Sequence, residues 1–530
     1  MARQPLTWLL QKIFAEAASA APDPPHSPSR RKFLQRTLSA AGSVLAGSAL
    51  LPAFPDIHDP IHHPSHHPAP ETCIIVGAGM AGLNAAWQLK KRGVTATIYD
   101  AAGRAGGRMY SWQNIFGAGI STDIGGEFVD AAHTDILRLA DEFGLELYDL
   151  RKDTLAPKTF WFEGRMLGEE DLRKAIQPYV QRLMEDIRSL PAIIAHTTAG
   201  QFRHLDRQSI TEYMGSIGIG GWLFRFLDTV LTREYGMEAS AQSAINFLIM
   251  FDPPRPKEAD YELFGQDHEI FKIKGGSQRL TDKLYDALQG QVLLNHRLLA
   301  IRPNPEKGVD LHFKREGTYL TVRADQVILA IPFSILRSVA FELPMPPGKE
   351  DCIREMGYGN SCKFIMGMEG HPWRKAGRQG YCFTDLSFGC GWDSSQMQSE
   401  EFGSFTVFGG GRLADEIKAG RQASLAGKFI PSLDAIYPGA AKAFTNNIVK
   451  FCWADNPYSK AGYSSFKKGQ WSTLAGWEAV PVGPVRFAGE HVSREFQGYM
   501  NGAAQTGRLA AEAVLASLLA TKHQQAKRIV

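Results

Sequence analysis

Between Thr72 and Asp100 the sequence holds one complete unit that leaves few folds open. Thr72-Cys73-Ile74-Ile75-Val76 is a short apolar run suited to a buried parallel strand. Gly77, Gly79 and Gly82 follow in a G-x-G-x-x-G pattern, Leu83 to Arg92 reads as a helix closed by Gly93, and Val94 to Tyr99 alternates as a second strand. Gly77 permits the tight turn, Gly79 lets the backbone approach a pyrophosphate, and Gly82 lets the helix pack close. Met80 and Ala81, between Gly79 and Gly82, are expected to contact the cofactor, with the N-terminus of the following helix facing the phosphates. Asp100, about 20 residues on, ends the second strand where a carboxylate accepts ribose hydroxyls. Strand, helix, strand and acid in this order specify a bound dinucleotide without separating FAD from NAD.

The chain around this unit has 530 residues, enough for two or three compact units. Hydrophobic residues at 44% and charged residues at 21% exclude wholesale disorder and a collagen-like or coiled-coil chain. A net charge of +3, from 58 basic against 55 acidic residues, is far from the field of a dedicated nucleic-acid binder. No G-x-S-x-G, H-E-x-x-H or P-loop pattern supports a hydrolase or an NTPase.

Residues 1–54 read as a leader. Ser29-Arg30-Arg31-Lys32-Phe33-Leu34 precedes a mildly apolar run, Leu38 to Leu51, and resembles a twin-arginine export signal. The run is shorter than the ~20 residues a spanning helix needs, so cleavage and a periplasmic or secreted product are expected. Residues 55–71 carry His58, His62, His63, His66 and His67 among prolines that forbid a helix aligning the imidazoles. They read as a solvated linker, and no metal site is expected. The six cysteines show no Cys-x-x-Cys spacing. Cys73 and Cys362 read as small buried hydrophobes, and pairing of Cys382 with Cys390 is left open.

After the fingerprint come Arg104-Ala105-Gly106-Gly107-Arg108, two close-approach glycines between forked phosphate donors. Fingerprint, acidic strand end and R-x-G-G-R resemble the N-terminus of the flavin-dependent amine oxidase family, which implies FAD. The family's usual Glu-Ala-Arg is Asp100-Ala101-Ala102 here, so one arginine is missing. The resemblance continues through Phe271 to Gln278, Val292 to Ile301 with Leu298 beside the adenine, Val327 to Pro332, and Arg486-Phe487-Ala488-Gly489-Glu490-His491 followed by Gly498-Tyr499-Met500-Asn501-Gly502-Ala503. In that last block Gly489, Glu490 and Met500 are implied to contact the cofactor. Asp123 to Asp130 resembles the loop under the flavin, with Gly125, Gly126 and Glu127 against the ring.

The resemblance also implies the chemistry: an amine is oxidised, O2 becomes H2O2, and the resulting imine hydrolyses. Lys363, the one charge in Ser361 to Met366, is similar to the lysine that holds a water against the flavin, and His371-Pro372-Trp373-Arg374 follows it as in the family. Tyr463 and Tyr499 match the two aromatics that sandwich the amine, and Phe496 stands where relatives carry tryptophan. Gly462 replaces the cysteine that tethers flavin in monoamine oxidases, so FAD is expected to be non-covalent. Asp130 matches a position acidic in some polyamine oxidases and suits a second cationic centre. No arginine stands in that loop to clamp a carboxylate, although Arg233 could arrive from elsewhere, so an L-amino-acid oxidase is the alternative reading. A flavoprotein without turnover, serving binding or electron relay, is the other. The implied partners are a small amine, O2, the export machinery and, as an open alternative, a second copy of the chain.

The implied fold class is α/β, with a discontinuous Rossmann-like FAD domain (72–135, 272–345 and 455–520) and a mixed α+β substrate domain (136–271 and 346–454). The helical-looking stretch Asp171 to Arg188 falls in the latter, and 521–530 is a tail.

Overall fold

A computed structural model describes residues 72–250 and 269–529. The leader and the histidine-bearing linker lie outside the described residues. The fold is mixed α/β, with parallel and antiparallel sheets. Its nucleotide half is a five-stranded parallel sheet in the order Val292–Leu293, Ala96–Tyr99, Cys73–Val76, Gln326–Leu329, Val485–Phe487. Cys73–Val76, the central strand, is buried along its whole length, which explains why it reads as an unbroken apolar run.

The helix Met80–Lys90 follows directly, rich in Ala and Leu, and ends at Gly93, whose φ of +74° suits glycine. It packs against the long C-terminal helix Met500–Ile529 so closely that a Cβ on Gly507 would lie 2.2 Å from the Ala81 carbonyl oxygen. The Asn84 amide locks the crossing by donating to the Ala504 carbonyl at 2.7 Å.

The second half rests on a seven-stranded sheet in the order Phe444–Cys452, Ser361–Glu369, Phe402–Gly410, Cys390–Asp393, Arg378–Thr384, Ala156–Phe162, Arg165–Leu167. Pairing is antiparallel except between Arg378–Thr384 and Ala156–Phe162. Helices from residues 169–248 cover one end with an apolar core that includes Phe162, Phe226 and Phe247. Phe128–Val129, Phe271–Ile273 and Leu147–Asp149 form a separate small antiparallel sheet with Phe271–Ile273 in its centre.

Three sequence expectations need correction. The run Val292 to Ile301 is two strands: Val292–Leu293 joins the parallel sheet and Arg297–Pro303 joins a separate four-stranded one. Asn295 turns the chain between them with φ +62°, a left-handed conformation that asparagine tolerates. The stretch Asp171 to Arg188 is two helices, Glu169–Ile176 and Val180–Ser189, separated by the 3₁₀ turn Gln177–Tyr179 at Pro178. Cys362 is a disulfide partner rather than a lone hydrophobe: it stands directly opposite Cys452 on the neighbouring strand and bonds to it across a Cα separation of 4.1 Å. Cys382 and Cys390 are buried and are not joined by a disulfide.

Candidate active site

The glycine fingerprint shapes one wall of a cavity of about 530 Å³. Gly77 has φ +105°, and a Cβ at Gly82 would sit 1.9 Å from the Gly77 carbonyl oxygen, so turn and helix close only with glycine at both places. Gly79 caps the Met80–Lys90 helix without a side-chain bond, and no acid stands in its first turn. Met80 and Ala81 therefore present free helix-start N–H groups to the cavity they line. A second helix start, at Met500, lines the same cavity.

Of the residues the sequence assigns to the cofactor, Gly77, Gly79, Met80, Ala81, Asp100, Arg104, Gly106, Gly107, Arg108, Gly126, Leu298, Gly489, Glu490, Tyr499 and Met500 line this one cavity. Asp100 accepts the N–H of Ala78 at 2.6 Å and of Ala102 at 2.7 Å through different oxygens, leaving each a lone pair. Burial raises its carboxyl above the usual range, against those two bonds and the charge of Arg104. Arg104 grips its own loop at the Ala105 and Gly107 carbonyls and lies 3.9 Å over the Tyr110 ring. Arg108 spans to the Gly462 carbonyl at 2.6 Å and Glu490 at 2.9 Å. Glu490 also accepts from the Ser464 hydroxyl and the Gly498 N–H. Burial pushes its carboxyl up, but the Arg108 and His491 charges and these bonds prevail and hold it below the usual range. Gly82 and Gly125 serve from behind: the Gly125 carbonyl faces Lys363, not the cavity.

Beneath Gly126 sits a buried ion cluster. Lys363 donates to the Asp123 carbonyl at 2.7 Å, the Gly125 carbonyl at 3.1 Å and Glu127 Oε2 at 2.8 Å. All three of its protons are thus engaged by the loop it underlies. Lys272, which sequence reasoning left without a role, donates to Glu127 Oε1 and to the Ser394 carbonyl, both at 2.7 Å. Burial raises the Glu127 carboxyl, yet the two ammonium groups outweigh it and hold the carboxyl below its usual range. The overlooked signal was a lysine inside the apolar run around Ile273, the same oddity that marks Lys363.

The aromatic positions converge from three segments. Tyr463 is buried, gives its hydroxyl to the Arg233 carbonyl at 2.8 Å, and borders Gly498, where a Cβ would meet its ring at 3.6 Å. Tyr499 is the next residue and lines the cavity. His133 packs edge-on against both Tyr499 and Phe496, at 5.0 and 5.5 Å, and stands 3.5 Å from Asp130. Phe128, Trp392 and Tyr381 pack together in an aromatic group outside the cavity lining, which the sequence did not single out, with Trp392 donating to Glu127 Oε2 at 3.1 Å. The cavity is further lined by Trp453, His296, Arg297 and the turn Asn456 to Lys460.

Comparison with known proteins agrees with this geometry. The family model described as flavin containing amine oxidoreductase matches residues 80–515. The chain is 24% identical to the L-amino-acid oxidase of Gloydius blomhoffii over 468 residues, 84% of this chain and 89% of that protein. It is 23% identical to the L-amino acid dehydrogenase of Synechocystis over 477 residues, 84% of this chain and 95% of that protein. In fold it matches putrescine oxidase bound to putrescine, with a TM-score of 0.72, 21% identity, and 84% and 99% of the two chains covered. It also matches the cyclohexylamine oxidase of Brevibacterium oxydans, with a TM-score of 0.73, 20% identity, and 85% and 99% covered.

Proposed function

The chain belongs to the flavin-containing amine oxidoreductase family and is an FAD-dependent enzyme acting on amine donors; on that premise we propose an exported oxidase that places a neutral amine between Tyr463 and Tyr499. The observation that carries this reading is the meeting of two helix starts, the glycine turns and Tyr499 on one cavity, with Tyr463 against Gly498. Those features fit FAD: free N–H groups for pyrophosphate, Asp100 for a ribose, Leu298 and His296 at the far end for adenine, and Met500 at the second helix start. Among the lining residues none is cysteine, in keeping with non-covalent binding. When bound, FAD supplies a two-electron acceptor for the hydride of the amine's α-carbon and passes those electrons to O2.

The chain's own residues orient, desolvate and hold. The two tyrosine faces favour the amine nitrogen by their ring electrons and exclude water from the carbon to be oxidised. Glu127, Lys272 and Lys363 fix the 123–127 loop beneath the flavin site, and Lys363, whose three protons are engaged there, acts on the reaction with oxygen through that loop. A free alkylamine titrates near the lysine value of about 10.4 and must lose a proton first, so activity rises with pH on the alkaline side. Anaerobic mixing with a panel of amines tests the reading: the flavin bleaches with substrate amines, and a flavin that no amine bleaches leaves only a binding or relay role.

Arg233 favours a second reading, oxidation of L-amino acids. It is 9% exposed, Nη1 donates to the Gly410 carbonyl at 2.7 Å, and Nε has no partner, which leaves a guanidinium able to take a carboxylate. Under that reading Arg233→Met abolishes L-phenylalanine oxidation while sparing amines. Export is supported by the Arg30-Arg31 leader and by the Cys362–Cys452 disulfide, a bond favoured in oxidising compartments. Replacing both arginines by lysine then retains the protein in the cytoplasm.

A further inference from the structure

Three methionines line the cavity, Met80, Met109 and Met500, and no cysteine stands among the residues that line it. Thioether sulfur is therefore the group on its wall most open to oxidation by peroxide. Met80 opens the helix of the glycine fingerprint and Met109 follows directly on Arg108, so both belong to the nucleotide motifs. Met500 stands elsewhere. It follows Tyr499, and its Sδ and Cγ would lie 2.7 and 2.8 Å from a Cβ added to Gly126, so its side chain packs on the 123–127 loop with no spare volume between them. Gly126 and Tyr499 line the cavity too, and Lys363 holds the same loop from behind. The sulfur of Met500 thus lies at the reacting end, where the amine gives up its hydride and O2 is reduced.

We propose that Met500 is a modification site, at which the enzyme's own hydrogen peroxide converts the thioether to a sulfoxide. This rests on the amine oxidase reading, which supplies the oxidant, and adds to it a limit on how long the enzyme works. A sulfur lone pair attacks one peroxide oxygen, the O–O bond breaks and an S–O bond forms; the other oxygen leaves as water with both hydrogens. Sulfur loses two electrons and the peroxide gains them, so no further reactant is needed. The product is polar where the thioether was apolar. Met500 is 8% exposed and belongs to the apolar core that includes Val129, Ile136 and Ala504. The new oxygen finds no room towards Gly126, so the loop or the helix start must shift, and both border the flavin site. FAD binding weakens in step with turnover.

The test uses the holoenzyme and whichever of phenylethylamine, putrescine and L-phenylalanine bleaches its flavin. A peroxide assay first shows that the oxidant is made. Prolonged turnover then runs under excess catalase, which removes peroxide that escapes into solution, and flavin absorbance after ultrafiltration gives the FAD retained. Trypsin releases Glu495 to Arg508, in which Met500 is the sole methionine, and Gln379 to Arg412, in which Met397 is the sole one. Met397, at 39% exposed, reports peroxide in solution. By mass spectrometry, turnover under catalase oxidises Met500 about tenfold further than Met397, and peroxide added without amine reverses that order. FAD retention falls in proportion to Met500 sulfoxide. Met500→Leu, of similar volume, loses FAD more slowly per turnover than the parent, each measured against its own starting content. An unmodified Met500 after prolonged turnover, the same order of oxidation under both treatments, or an unchanged loss per turnover in Met500→Leu overturns the modification while leaving amine oxidation intact. Flavin bleached without peroxide, or bleached by no amine, overturns the oxidase reading and the modification with it.

Discussion

Lys363 and Lys272 share one carboxylate: their ammonium groups stand 2.8 and 2.7 Å from opposite oxygens of Glu127, and all three residues are buried. The lysines reach it from different sheets, Lys363 from Ser361–Glu369 and Lys272 from Phe271–Ile273. Glu127 is therefore a joint between the two halves of the protein as well as the floor of the loop that carries Gly125 and Gly126.

Removing one partner from a buried ion pair typically costs about 3–5 kcal/mol. Lys272 and Trp392 still hold Glu127 in Lys363→Met, which places the loss near the lower end, about 3 kcal/mol by the same principle. Denaturant titration measures it. In stopped-flow traces the variant keeps FAD but reoxidises more slowly relative to its reduction by substrate. Unchanged reoxidation would show that Lys363 acts only as a tie for the loop.

Acid should release this joint. Glu127 has its carboxyl held below the ordinary 4.5, so its stabilisation is complete above that pH and is lost as pH falls through the lowered folded value. Glu490 behaves alike, for the reasons of burial outweighed by Arg108 and its other donors. Flavin fluorescence released on acid titration is expected to rise only as pH falls below the ordinary 4.5, and Glu127→Gln is expected to flatten that profile. A parent and variant with the same acid midpoint would rule the joint out as the sensitive element.

Glu478 carries the opposite sign. Burial raises its carboxyl from 4.5 to about 7, despite the N–H of Gly476 at 2.6 Å. The folded state thus favours the proton, and stability is lost as pH rises from 4.5 through about 7. Glu478→Gln removes the penalty: a gain of about 3 kcal/mol at pH 8 and almost none at pH 4, from 1.36 kcal/mol per pKa unit. Melting temperatures at the two pH values decide, and an equal shift at both would contradict the argument.

The Cys362–Cys452 bond sits one residue from Lys363 on one strand and from the cavity-lining Phe451 and Trp453 on the other. Replacing both cysteines by serine is expected to cost about 2–4 kcal/mol of stability and to weaken FAD binding. Ultrafiltration of the holoenzyme followed by flavin assay reads the second effect. A dithiol reductant that reaches the bond would reproduce both in the parent.

What was legible in the sequence is what chemistry ties to neighbouring residues. The turn from Val76 to Met80 needs glycine for local steric reasons, and the missing space shows at Gly82 whatever the rest of the fold does. The Glu127 joint was not legible, because Lys272 and Lys363 lie 145 and 236 residues from it and meet only through strand pairing. The disulfide likewise joins cysteines 90 residues apart with no spacing motif. Asn295 is a turn signal inside an apolar run, and its φ of +62° divides that run into two strands.

The parallel sheet has a consequence for how the protein is made. Synthesis runs from one end, and the strand Val485–Phe487 that covers one edge of Gln326–Leu329 arrives after most of the chain. Until then that edge is open to pairing with another nascent chain. The helix start at Met500 comes later still, so a ribosome-bound chain that carries the whole glycine fingerprint has only part of its cofactor pocket. FAD can bind tightly only to a finished polypeptide, and the stabilisation that ligand binding lends is withheld from every truncated product.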